Sequence, residues 1–160
     1  MPIPANIVQV IELAAATHKL PSGLVRAIVQ VESVGNTFAI RYEPNFLLTY
    51  VKKDVKTFGA SRDTERISRA MSWGLMQVMG QVARELGCTE PFLSSLCEPV
   101  TGLEFGCRLL ARLRDKYLEK YGWNGVIAAY NAGSPRRDES GEHVNQPYVV
   151  KVRKHFKEEQ

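Results

Sequence analysis

No stretch of the chain approaches the roughly 18–20 consecutive apolar residues of a membrane-spanning helix, so stable membrane insertion is not expected. Cysteine and histidine are scarce, at three residues each. Cys88, Cys97 and Cys107 show no C-x-x-C spacing, and His18, His143 and His155 lie far apart. That pattern offers no metal ligand set, and the histidines read as surface or helix-end residues. One disulfide plus a free thiol is one arrangement of the cysteines. Buried free thiols suit a protein made in a reducing cytoplasm better. The opening Met1-Pro2-Ile3-Pro4-Ala5-Asn6 lacks the charged start, apolar run and cleavage site of a secretory signal. Synthesis in the cytoplasm is therefore expected, with something other than this chain delivering it to any substrate outside. Charge of one sign is not segregated either. Residues 1–80 carry nine basic and six acidic side chains, and residues 81–160 carry twelve and eleven, for a net charge of +4. Without a basic arm or an aromatic-basic platform, nucleic acid is not an expected partner.

The 160 residues suit one domain spanning 1–160, with 44% hydrophobic and 24% charged residues, ordinary for a globular protein. Apolar residues recur at helical spacing and no run alternates long enough to suggest a sheet, so a mainly α fold is expected. The spacing predicts helices over about 4–18, from Ser22 as N-cap to about Glu32, over 44–53, and over 74–86 with Gly87 as C-cap. Further helices are expected over 99–120, as the longest, then 124–131 and 148–157. Residues 59–72 read as polar and partly helical, Pro91 to Pro99 as an irregular linker, and Ser134 to Pro147 as a long polar loop. The basic stretch Lys151-Val152-Arg153-Lys154-His155-Phe156-Lys157 predicts a weak contact with an anionic envelope, against the plainer reading of a solvated helix end.

Glu32 is the most informative residue. In the segment Leu24 to Ser33, Leu24, Ile28 and Val31 share a helix face, and Glu32 follows Ile28 by one turn. A carboxyl group placed there meets apolar surroundings and the negative end of the helix dipole near Gly35. Both disfavour its charge and keep it protonated nearer neutral pH, as a general acid requires. The alternative is a glutamate that turns to solvent at the helix end.

Three patches form an ordered set: Glu32-Ser33, then Ser72-Trp73-Gly74-Leu75-Met76-Gln77, then Ala129-Tyr130-Asn131-Ala132-Gly133. With the lead-in Leu24 to Ser33, the Gly102-to-Leu110 helix and the closing Tyr148-Val149-Val150-Lys151-Val152, this order resembles the soluble lytic transglycosylase domain, which has a goose-type-lysozyme-like fold. The resemblance covers nearly the whole chain. It implies a single-domain, lysozyme-like helical enzyme with a glycan-binding cleft, acting on peptidoglycan strands without a cofactor and expected as a monomer. Glu32 would then protonate the glycosidic oxygen between N-acetylmuramic acid and N-acetylglucosamine. As a carboxylate it would next take the proton of the muramic C6 hydroxyl, whose oxygen closes on C1 to leave a 1,6-anhydro sugar.

In that setting Gly74 lets backbone approach a sugar, Leu75 and Met76 continue the turn, and Gln77 offers both donor and acceptor. Met76 is either an adaptable cleft wall or core, and Met79 reads as core. The resemblance places Tyr130 in the site, to orient Glu32 or hold an N-acetyl group. Asn131 is a cap or a substrate contact. Ser33 and Ser72 hydrogen-bond sugar or Glu32, or cap helices. Tyr148 matches a family tyrosine near the cleft, or simply packs the last helix.

Two-carboxylate glycosidases need a second acid. Goose-type lysozymes have an aspartate after the Gly-Leu-Met-Gln run, whereas Val78 stands here. Glu43 is the nearby carboxylate that remains, either in the site or as a surface partner of Arg41 or a helix cap. The stretch Arg41-Tyr42-Glu43-Pro44-Asn45-Phe46 resembles phage members of the group. The expectation is a phage endolysin, acting in the periplasm for host lysis. The alternatives are a hydrolytic muramidase, a bacterial wall-remodelling enzyme, or a non-catalytic glycan-binding module.

Overall fold

The structure is a computed structural model that describes residues 2–157. Helix α1 (Ala5–Thr17) buries Ile7, Ile11 and Ala15, spaced four apart on one face. α2 (Ser22–Glu32) buries a broad apolar face, Leu24, Val25, Ala27, Ile28 and Val29, and keeps a polar stripe of Ser22, Arg26 and half-buried Gln30 outside. α1 and α7 (Gln146–Arg153) pack against α2, and the long helix α6 (Pro99–Ala132) packs against both of them. α6 contributes Leu103, Cys107, Leu110, Val126 and Ile127 to the same core, and α7 contributes Val149 and Val152. This packing fixes where the last residue of α2, Glu32, emerges.

A smaller lobe covers that end. β1 (Ile40–Tyr42), β2 (Met71–Trp73) and β3 (Val78–Met79) form an antiparallel sheet in the order β1-β2-β3, with Arg41 opposite Ser72 and Trp73 opposite both Ile40 and Val78. Three short helices, α3 (Pro44–Tyr50), α4 (Arg62–Arg69) and α5 (Gly80–Glu85), surround it. Seven α-helices among the described residues agree with the mainly helical expectation.

Several local expectations need correction. The absence of a sheet is overturned: the strands have three, three and two residues, too short to establish an alternation in sequence. The helix expected over 74–86 is only Gly80–Glu85. Ahead of it, Gly74 (φ 67°) and Gln77 (φ 49°) make a tight left-handed turn between β2 and β3. Ser22 is the first residue of α2 rather than its cap, since Pro21 stands at the N-cap. α3 stops at Tyr50, short of 53. His143 is buried at 5% exposure, not a surface residue. The linker before Pro99 holds a 3-10 turn, Leu93–Cys97, whose Leu93 and Leu96 are core residues.

Other readings agree with the structure. Gly87 follows α5 in the left-handed region (φ 94°). α6 is broken at Gly122 (φ 62°, ψ −174°), between the two helices expected there. The three cysteines are free thiols, with Cys88 and Cys107 buried and Cys97 half-buried.

Candidate functional site

Between the helical core and the small lobe runs a cleft of about 500 Å³. Glu32, Ser72, Gln77, Tyr130 and Asn131 line it, together with Arg41 and Glu43 from the β1–α3 segment. Glu32 is half-buried at the C-terminus of α2. Burial pushes its carboxyl group above the ordinary value of 4.5. A hydrogen bond from Tyr148 and the positive charge of Arg41 oppose that rise without cancelling it.

The Tyr148 hydroxyl donates to Glu32 Oε1 at 2.6 Å. This reaches across 116 residues of sequence and joins the last helix to the end of the second. Burial, and then the nearby Glu32 charge, raise the Tyr148 phenol well above the usual range, so it remains a donor. One carboxyl oxygen of Glu32 is thereby held in place. Tyr130, for which contact with Glu32 was one expectation, instead donates to the Met76 carbonyl at 2.8 Å. Its phenol is also pushed up, by burial first and by the Glu32 charge second.

The turn after β2 is held by its own side chains. Ser72 Oγ donates to Gln77 Oε1 at 2.9 Å, and Gln77 Nε2 donates to the carbonyls of Ala39 at 2.9 Å and Gly74 at 3.0 Å. The amide of Gln77 thus ties the residue that leads into β1 to the hairpin, and Gln77 also lines the cleft. Gly74 is buried, and a Cβ there would overlap the Leu96 carbonyl oxygen. Close approach to the 3-10 turn therefore accounts for the glycine. Leu75 and Met76 are core residues at 1% and 0% exposure, whereas half-buried Met79, expected as core, lines the cleft. Ser33 is buried, with Oγ donating to the carbonyls of Leu75 at 2.8 Å and Val29 at 3.2 Å. It locks the end of α2 to the turn. Asn131 Oδ1 accepts from Asn145 Nδ2 at 2.9 Å.

Glu43 also reaches the cleft, but its Oε1 is paired with Arg41 Nε at 2.6 Å. The structure therefore brings Glu32, Glu43, Ser72, Gln77, Tyr130 and Asn131 to one cleft, with Tyr148 behind Glu32. Ser33, Gly74, Leu75 and Met76 form the support behind the wall.

Arg41, Phe46, Tyr50 and Arg112 were not singled out from the sequence as cleft residues, yet all line it. Arg41 lies between Ile40 and Tyr42 on the opposite face of β1, whose three residues are all exposed and too few to mark that face in sequence. Phe46 and Tyr50, and likewise Leu109, Arg112 and Leu113, keep helical spacing. Those periods were the available signals. Among the described residues, no three His, Cys, Asp or Glu side chains gather as metal ligands, and no helix is long and apolar enough to cross a membrane.

The sequence matches the transglycosylase SLT domain family over residues 9–147. No curated protein and no solved structure matches the chain.

Proposed function

The chain belongs to the transglycosylase SLT domain family, and on that premise we propose that it is a lytic transglycosylase that cleaves peptidoglycan between N-acetylmuramic acid and N-acetylglucosamine. The observation that carries this reading is a half-buried Glu32, with its carboxyl group held toward the protonated form, in the wall of a cleft. Glu32 gives its proton to the glycosidic oxygen as the bond from that oxygen to muramic C1 breaks. The resulting carboxylate takes the proton of the C6 hydroxyl, and O6 bonds to C1. The products are a free N-acetylglucosamine hydroxyl and a 1,6-anhydromuramic end. Water is not consumed, and Glu32 returns to its starting protonation state.

A group that first gives and then takes a proton needs an affinity between those of an ordinary carboxyl and a neutral base. Burial raises that affinity, and Tyr148 and Arg41 keep the rise in check. Tyr148 also holds one oxygen of the carboxyl group, which leaves the other to move the proton.

The competing chemistry is hydrolysis by a muramidase, and Glu43 is the residue that would favour it. Its pairing with Arg41 takes up one oxygen of the only other carboxylate that lines the cleft among the described residues. Val78, at the position of the lysozyme aspartate, is buried at 1% exposure and offers no replacement. The resemblance of Arg41-Tyr42-Glu43-Pro44 to phage members supports a setting as a phage endolysin. It would be made in the host cytoplasm and reach the periplasm through a membrane lesion that another protein makes.

Mass spectrometry of digested peptidoglycan tests the chemistry. Muropeptides ending in 1,6-anhydromuramic acid are expected, about 18 mass units lighter than hydrolytic products, because no water is added. Reducing muramic ends would establish the hydrolase instead. A turbidity assay on permeabilised Gram-negative cells addresses the third alternative, since a non-catalytic binding module leaves the optical density unchanged.

A further inference from the structure

α3 is a helix whose composition its own burial does not explain. Four of its seven residues, Phe46, Leu47, Leu48 and Tyr50, are apolar or aromatic, yet none of the seven is buried. α2, by contrast, sends Leu24, Val25, Ala27, Ile28 and Val29 into the core. Phe46 and Leu47 are half-buried and Leu48 and Tyr50 exposed, so much of this apolar surface is left to contact something else.

Two of these side chains face a defined place. Phe46 and Tyr50 lie one turn apart, with ring centroids 4.9 Å apart and planes at 42°, and both line the cleft that contains Glu32. We propose that the Phe46–Tyr50 ring pair is a sugar-binding platform, on which the C–H face of a pyranose in the glycan strand packs. This rests on the reading of the cleft as a glycan-cleaving site.

The chemistry favours a neutral sugar over other occupants. A pyranose presents polar hydroxyls at its rim and polarised C–H bonds on its face, which suit the negative face of an aromatic ring. α3 carries no charged residue from Pro44 to Tyr50, so nothing on it matches an anionic bilayer or polymer. Both rings line the recess of about 500 Å³ that holds Glu32, Phe46 half-buried and Tyr50 exposed at its edge. Ligand sites of this kind join apolar walls to a few polar groups, here Glu32, Gln77 and Asn131.

The probe is chitohexaose, a neutral oligomer of N-acetylglucosamine, with binding to the full chain measured by calorimetry. Phe46→Ala and Tyr50→Ala should each weaken binding by about tenfold or more, from the ring surface lost to the complex. Tyr50→Phe, which keeps the ring, should bind within about threefold of the wild type. Melting temperatures should stay within about 2 °C, since no residue of α3 is buried. Unchanged affinity in both alanine variants would overturn the platform, as would failure of the wild type to bind. A large fall in melting temperature would show that the rings serve packing, and loss of binding only to phosphatidylglycerol vesicles would assign them to a membrane. The platform and the bond-breaking chemistry fail separately. Reducing muramic ends together with weakened chitohexaose binding in Phe46→Ala would reject the transglycosylase and keep the platform. Anhydro ends with unweakened binding would do the reverse.

Discussion

Glu32→Gln should cut turnover on peptidoglycan by at least ~10²–10⁴-fold, the usual contribution of a positioned general acid, while the chain still folds. The amide fills the same space, and its oxygen can still accept from the Tyr148 hydroxyl that now bonds Glu32 Oε1 at 2.6 Å. What it cannot do is give a proton to a leaving oxygen or take one from a C6 hydroxyl. The stability of the variant has a definite sign. Burial raises the carboxyl group above its ordinary 4.5, so the folded state binds the proton more tightly than the unfolded chain. Stability from this group is full below the unfolded value and is lost as pH rises through the folded one. Glutamine has no proton to lose, so at neutral pH the variant should melt no lower than the wild type. Loss of activity with an unchanged or raised melting temperature separates a catalytic role from a structural one. Near-full activity would reject the assignment.

Glu65→Ala has the largest expected effect on stability, roughly 3–5 kcal/mol, or a melting temperature lower by roughly 10 °C. Glu65 has no exposed surface, and its carboxylate is bracketed by Arg69 Nε at 2.9 Å and by Arg84 at 2.8 and 2.9 Å. Arg69 also donates to the Lys56 carbonyl at 2.8 Å. Arg84 donates to the carbonyls of Cys88 and Glu90 and lies 4.1 Å from the centroid of the Phe58 ring. The network thus ties α4 and α5 to the irregular segment that follows α3, and so supports the lobe that closes the cleft. Removing the carboxylate leaves two guanidinium groups confined without their counter-charge.

The pH dependence of this network runs opposite to that of Glu32. Burial alone would raise the Glu65 carboxyl group, but the hydrogen bonds and charges of Arg84 and Arg69 bring it below 4.5. The stability it provides is present above the unfolded value and is lost as pH falls through the folded one. Thermal melts should show the wild-type advantage over Glu65→Ala at neutral pH and its decline below about pH 4.5. A constant difference down to that range and beyond would mean that the network contributes through packing alone.

The helical core was legible because its period is long and repeated. Leu24, Ile28 and Val31 announce α2, and the break at Gly122 separates two apolar patterns in α6. Glu32 was legible as the polar residue that ends an apolar helix. The small lobe was not. Strands of two and three residues cannot display an alternation, and the turn from Gly74 to Gln77 depends on left-handed backbone that the neighbouring apolar residues conceal.

The sequence placed the Gly-Leu-Met-Gln run near the site, but not which side of the wall each residue occupies. Met79, which reads as core, lines the cleft, and Met76, open between wall and core, is core, because a turn and a strand, not a helix, relate them. The pairing of Tyr148 with Glu32 joins positions 116 apart, and only the packing of α7 against α2 decides it. Family resemblance brought Tyr148 near the cleft, whereas the contact itself required coordinates. Arg41 and the Phe46–Tyr50 pair were concealed differently: they sit on elements that bury little, where spacing shows that two residues share a face but not that the face lines a cleft.

Carbon-detected NMR titration of the Glu32 side-chain carboxyl, assigned by its loss in Glu32→Gln, addresses the proton affinity directly. The wild type should titrate with a midpoint above 4.5. In Tyr148→Phe, which removes the donor that stabilises the carboxylate, the midpoint should move higher still. A wild-type midpoint at or below 4.5 would mean an ordinary ionised glutamate, with no proton to give at the pH where the enzyme works.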